Sequence, residues 1–358
     1  METINLIYLL AIISSFFLTL ILTPFIKGLA LKYNITDKPG ADRKIHHKPI
    51  PLLGGLAIFI STSMVIFVFR WLELANFSQI PDKFLISVFL AGLILMVGGF
   101  LDDRYNLRPG QQIIFPIIAV VLVLVSGIQI TYITNPIGNA SNAIIYLSPV
   151  IGLTLSFLWL MGMMYTTKFL DGLDGLVASM AIIAALIIFL IGLDWDVARS
   201  ATGVWALALI GAAAAFLIFN WHPAKVFLGE GGSIWLGFIL GVLSIITGSK
   251  IATTLLVVGI PALDVLWVVI RRAVKHESPF SHADKKHLHY QLLNLGFSHR
   301  GAVFFLCLIA LTFGSLGIFT NSRGKLTGLV FLFILMMILA LAIYLKSRRN
   351  ESTNIDHP

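Results

Sequence analysis

The chain has 358 residues, of which 58% are hydrophobic and 12% charged, with a mean hydropathy of +0.93 and a formal net charge of +8. A soluble domain carries about 25% charged residues, so a water-soluble globular fold is excluded. The excess of lysine and arginine reads as loop charge that holds a membrane topology, with no nucleic acid partner. The single cysteine, Cys307, sits in an apolar run, which excludes an intramolecular disulfide and a thiol metal cluster.

A helical crossing takes roughly 20 apolar residues. Such runs follow one another at 4–26, 51–71, 83–101, 112–130, 146–168, 175–193, 202–221, 232–248, 251–271, 301–320 and 326–346. They predict an all-α, polytopic integral membrane protein of 11 transmembrane helices. A β-barrel would show alternating segments of about 10 residues instead. The first run is long for a signal peptide and lacks a small-residue cleavage site, so it reads as a retained helix. Residues 1–348 form one expected transmembrane domain, and 349–358 a short polar tail. The polar loops 27–50, 101–112, 168–175, 221–232 and 271–300, with Lys346, Arg348 and Arg349 near the C-terminus, hold 19 of the 25 basic residues. By the positive-inside rule this side is cytoplasmic, with the N-terminus outside and the C-terminus inside.

The unusual polar residues fall on that same side. "GGFLDDRYNL" places Asp102 and Asp103 together at a helix end. Adjacent carboxylates repel unless a cation compensates; the pair is either a solvated helix end or part of a hard-cation or phosphate site. "KFLDGLDGL" carries Asp171 and Asp174, each followed by glycine. In a helix the two acids share a face, with Cβ atoms about 5–6 Å apart; in a loop they are turn-forming Asp–Gly pairs. "NWHPAKVFLGEGGS" sets Glu230 among glycines before a new span, where helix N–H groups favour phosphate. Asp264 lies inside span nine, where an ionisable residue is either functional or paired with another helix. The segment 271–300 is rich in histidine and basic residues. His287 and His289 point apart in a helix and together in an extended strand. Leu288, Leu292 and Leu295 mark one face of a short helix suited to the membrane interface, which Gly296 would cap.

Taken in order, "DKPGADRKIHHKPIPLLGG", "FLDD", "FLDGLDGL", "PAKVFLGEGGS" and "HADKKHLHYQLL" resemble the polyprenyl-phosphate N-acetylhexosamine-1-phosphate transferases. This family includes phospho-N-acetylmuramoyl-pentapeptide transferase, and "HLHY" is similar to its undecaprenyl-phosphate GlcNAc-1-phosphate branch. The resemblance implies attack of polyprenyl (undecaprenyl) phosphate on a UDP-N-acetylhexosamine, with UDP-GlcNAc the expected donor. UMP leaves, and a lipid-diphosphate sugar for the cell envelope remains. It implies Mg²⁺, with Mn²⁺ as the other candidate ion, a plasma-membrane location, and either a monomer or a homodimer. Catalytic roles pass to Asp102, Asp103, Asp171 and Asp174, and cation binding to Asp103, Asp171, Asp174 and Glu230. Substrate binding passes to Lys38, Arg43, His46, Lys168, Lys225, His287 and His289. The chain departs from the family pattern at Glu230, usually aspartate, and at Lys168, commonly asparagine. It departs again at Gln112, frequently lysine, Tyr290, usually histidine, and Leu52, commonly arginine. A flippase of lipid-linked sugars and a membrane phosphohydrolase are the competing readings. Acids at helix ends rather than at the bilayer midplane argue against transport.

Overall fold

The computed structural model describes residues 2–38, 48–74, 77, 80–136, 144–193, 201–248, 251–274 and 287–355. Arg43, His46 and the segment 275–286 lie outside the described residues. Within the described residues, 11 helices are long and apolar enough to cross a membrane, which makes this a multi-pass helical membrane protein. Helices are the expected solution, because in lipid each backbone N–H and C=O must be satisfied within its own segment.

The chain runs α1 (Glu2–Lys32), β1 (Thr36–Asp37), β2 (Ile50–Pro51), α2 (Gly54–Trp71) and α3 (Asp82–Tyr105). It continues through α4 (Pro109–Gln112), α5 (Ile114–Ser126), β3 (Tyr132–Thr134), β4 (Ile144–Tyr146), α6 (Pro149–Leu170) and α7 (Leu176–Leu193). It closes with α8 (Ala201–Asn220), α9 (Gly229–Ile246), α10 (Ile251–Val274), α11 (Leu288–Asn294), α12 (His299–Phe319) and α13 (Ser322–Ile355). Local chemistry sets the ends. Ser148 and Ser298 cap α6 and α12 with their hydroxyls, and Gly127 ends α5 at φ +104°. Two antiparallel pairs, β1–β2 and β3–β4, add short two-stranded sheets.

At the centre stands α9, enclosed by α2, α3, α6 and α7 and buried on nearly every side. Its first turn is glycine-rich for a steric reason. A Cβ on Gly55 would overlap the backbone of Gly232, and one on Gly99 would overlap that of Gly231. Two helices therefore meet the head of α9 backbone to backbone, as small residues allow in membrane bundles. The outer helices α1 and α13 leave many large apolar side chains exposed, as lipid-facing surfaces do.

Three expectations shift at the helix ends. Asp102 and Asp103 lie within the last turn of α3, and Glu230 lies within the first turn of α9 rather than in the loop before it. Asp171 to Gly175 form a turn between α6 and α7, not a helix, so the two aspartates do not share a helical face. Gly175, at φ +80°, takes a conformation that ends helices. α11 also departs from the interface reading: Leu288 and Leu292 are buried in the main core, while Gly296 caps the helix as expected.

Replacing Gly99 with alanine is expected to destabilise the protein by about 1–3 kcal/mol, because neither backbone has room to yield. Gly110→Ala, where a Cβ meets nothing within 4 Å, is the control. Melting curves in detergent measure both; equal melting temperatures for the two variants would refute the close contact.

Candidate active site

Four helix ends converge at one end of the bundle. Asp103 offers both carboxylate oxygens to the Glu230 backbone N–H, at 3.2 Å each, so the end of α3 caps the start of α9. That N–H lies at the positive end of the α9 dipole, which favours a carboxylate there. Next to it, Asp102 Oδ1 accepts from the Leu107 N–H at 2.8 Å and from Gln112 Nε2 at 3.0 Å. Gln112 Nε2 also donates to the Leu107 carbonyl at 3.0 Å, so this side chain fixes the α3–α4 turn. From the last turn of α6, Lys168 Nζ donates to Gln112 Oε1 at 3.0 Å and pairs with Glu230 Oε1. Asp102, Gln112, Lys168, Glu230 and Asp103 thus form one continuous polar chain across α3, α4, α6 and α9.

Asp171 stands beside this chain; the residue is exposed, and protein crowds around its carboxyl. That enclosure first, then the negative charges of Glu230 and Asp174, push its carboxyl up to about 8 when no cation is present. A carboxylate in that position calls for a compensating positive charge. The donors here are carboxylate oxygens without sulfur, the set a hard divalent cation takes.

Asp174 faces a different set of partners. Its Oδ2 accepts from His222 Nδ1 at 2.6 Å and from the Ala224 N–H at 3.1 Å. Its own N–H donates to His299 Nε2 at 2.8 Å. Arg300 closes the arrangement by donating twice to the His222 carbonyl, at 2.7 and 3.0 Å. The ligand atoms of Asp174, His222 and His299 lie within 4.8 Å of one another. Yet the two imidazoles stack at 4.0 Å and 11°, so their in-plane lone pairs run side by side instead of meeting at a point. The trio is a hydrogen-bonded clasp that ties the turn after α6 to the α8–α9 loop and the head of α12. Asn220 adds to it by accepting from the Gly175 N–H and donating to the Val226 carbonyl, each at 2.9 Å.

The histidine segment closes the other wall. His287 precedes α11 with extended backbone, and its ring lies parallel to that of His289, at 5.7 Å and 7°. The extended alternative is the one adopted, which turns both rings the same way. Asp264 is the anchor: Oδ2 bonds His287 Nδ1 at 2.8 Å, and Oδ1 accepts from the Leu288 N–H at 3.0 Å. This intramembrane aspartate therefore has a partner from another segment. Gly172 makes room for the wall, since a Cβ there would overlap His289 Nε2 and come within 2.9 Å of the Tyr290 hydroxyl. His287 and His289 are both buried, whereas Lys38 and Lys225 are exposed.

Comparison with known proteins supplies a family. The description of glycosyl transferase family 4 matches residues 85–248, the stretch that holds the acidic chain and the Asp174 turn. The decaprenyl-phosphate N-acetylglucosaminephosphotransferase of Mycolicibacterium smegmatis is 31% identical over 81% of this chain and 76% of its own length. The chain belongs to glycosyl transferase family 4. The undecaprenyl-phosphate alpha-N-acetylglucosaminyl 1-phosphate transferase of Escherichia coli K12 is 27% identical over 86% of this chain and 82% of its own.

For this member of family 4, the structure brings together Asp102, Asp103, Lys168, Asp171 and Glu230, and separates Asp174 into the neighbouring clasp. Two departures noted in the sequence, Lys168 and Gln112, prove to be in direct contact. Sequence reasoning missed His222, His299 and Arg300 as partners of the Asp174 turn. His222 stands in "NWHPAKV" and His299 at the head of span ten, but no spacing relates positions 174, 222 and 299.

Burial first, then the charges of His287 and His299, push His289 down to about 3 from an ordinary 6.5. Between those values the unfolded chain binds the extra proton, so stability present above about 6.5 falls as the pH drops toward 3. His289→Gln is expected to lose less melting temperature than the parent between about pH 7 and about pH 5. Equal losses would show that the ring is not held neutral.

Proposed function

We propose that this protein transfers GlcNAc 1-phosphate from UDP-GlcNAc to a polyprenyl phosphate, undecaprenyl phosphate being the expected acceptor. UMP leaves, and a lipid-diphosphate sugar remains for cell-envelope glycan synthesis. The single observation that carries this reading is the polar chain from Asp102 to Asp103 through Lys168 and Glu230, beside a solvent-open Asp171. An acid-rich cluster with an embedded ammonium at the end of a membrane bundle suits two phosphates, one reached from the lipid and one from water. The charge asymmetry of the loops supports a cytoplasmic position for this end, in a plasma membrane.

Phosphoryl transfer asks the protein for positioning and charge neutralisation rather than covalent chemistry. Asp103 and Asp171 would hold a Mg²⁺ ion, with Mn²⁺ as a substitute and Glu230 alongside them, and that ion would supply neutralisation of the diphosphate as negative charge builds on the departing UMP. Asp103 holds the head of α9 against α3, so the acidic cluster keeps its arrangement while the substrates exchange. Lys168 brings an ammonium into reach of the transferring phosphate. The Asp174 clasp holds the turn that presents Asp171, and the His287–His289 wall backs the same turn through Gly172.

The purified full chain with UDP-GlcNAc, undecaprenyl phosphate and Mg²⁺ is expected to release UMP only when the lipid is present. Release without lipid would indicate hydrolysis, and no release with a panel of UDP-sugars would overturn the proposal. Asp171→Asn is expected to lower the rate at least ~100-fold, the scale of removing one preorganised electrostatic group. Asp174→Asn is expected to abolish turnover while leaving membrane insertion and purification unchanged; near-normal turnover in either variant would remove that aspartate from the site.

A further inference from the structure

The Lys168 ammonium is held unusually well for a lysine. Its side chain is 15% exposed, and that of its partner Glu230 is 21% exposed. A surface lysine pairs loosely and moves freely, and such pairs contribute little. Here Gln112 Oε1 takes a second N–H of the ammonium at 3.0 Å, and Gln112 is itself fixed by Asp102 and the Leu107 carbonyl. The Tyr165 ring lies 5.8 Å from Nζ and covers another side. Glu230 is equally fixed, because its backbone N–H is bound by Asp103 at the head of α9. Both ends of the ion pair are therefore mounted on rigid helix ends before any ligand arrives.

The surroundings give that placement a consequence. Asp102, Asp171 and Glu230 all lie close enough to Asp103 for their charges to act on it. A divalent ion approaching this cluster seeks the same carboxylate oxygens that the ammonium already engages. Two cations cannot share one oxygen without mutual repulsion, and that repulsion is strong where water is scarce. Lysine presents a compact point charge, so it acts here much as a bound monovalent ion would.

We propose that Lys168 is a resident cation of the acidic cluster that withholds Glu230 from a divalent ion and so sets how tightly that ion is bound. The inference rests on the reading of this cluster as the cation site of the transferase. In the unmodified chain the divalent ion is left to Asp103 and Asp171, and affinity is lower than the four acids of the cluster, Asp102, Asp103, Asp171 and Glu230, would give. Lys168 is thus a positioning residue whose effect is read in cation affinity.

The test is a Mn²⁺ titration of the full chain purified in detergent, with free Mn²⁺ read by electron paramagnetic resonance and no substrate present. Lys168→Asn is expected to bind Mn²⁺ at least ~10-fold more tightly than the parent, and Lys168→Arg to bind as the parent does. A gain below about threefold in Lys168→Asn, or no binding in either protein, overturns the proposal. Should Lys168→Asn lose its melting transition, Glu230→Gln decides. A loss of affinity below about threefold in that variant supports the withheld carboxylate, and a larger loss shows that Glu230 binds the ion despite Lys168. No UMP is measured, so a chain that fails the lipid-dependent assay can still pass this test, and an active chain can still fail it.

Discussion

The bond from the Glu230 N–H to Asp103 at the head of α9 carries the organisation of this end of the bundle. A carboxylate at the rim of an apolar bundle is costly unless donors or cations meet it. Asp103 finds its donor on the central helix, and this couples α3 to α9 by a charge-assisted hydrogen bond. The contact is geometrically permitted only because Gly55, Gly99, Gly231 and Gly232 remove the side chains that would hold the backbones apart. Packing and electrostatics therefore depend on each other here: the glycines allow the approach, and the hydrogen bond orients it.

From that fixed point the polar chain extends outward through Glu230, Lys168 and Gln112 to Asp102. Each member lies on a different helix end or turn, so the site is shared by elements far apart in sequence. Lys168 and Gln112, two of the positions that the resemblance sets apart from the family pattern, lie on opposite sides of one hydrogen bond. Read separately they look like unrelated substitutions. Read together they form one polar contact, with Lys168 lowering the repulsion among the acids around it.

The Asp171–Gly175 turn is supported from two directions. The clasp of Asp174, His222, His299 and Arg300 binds it to the α8–α9 loop and to α12. The histidine wall, anchored by Asp264, fills the space that Gly172 leaves. Asp171 is the exposed member of this turn, and the protein packed around its carboxyl, with the charges of Glu230 and Asp174, raises its proton affinity. A short turn between two membrane helices is thus held rigid without regular structure of its own.

The sequence by itself determined the number and approximate limits of the membrane helices, because a run of apolar residues long enough to cross lipid must satisfy its backbone as helix. It also determined that Asp102, Asp103, Asp171, Asp174 and Glu230 gather at one end, since helix alternation and loop charge leave no other arrangement. Gly296 was legible as a cap, and Asp264 as a residue either functional or paired with another helix. Tertiary structure alone decided that Asp171 and Asp174 part company in a turn, that Asp264 holds His287, and that Lys168 meets Gln112 and Glu230. These contacts join positions 23 to 62 residues apart, or turn on a single glycine dihedral. The physical reason is the range of the forces involved. Hydrophobic periodicity is local and accumulates over a whole helix, whereas one hydrogen bond or ion pair depends on ångström placement that only the packed bundle provides.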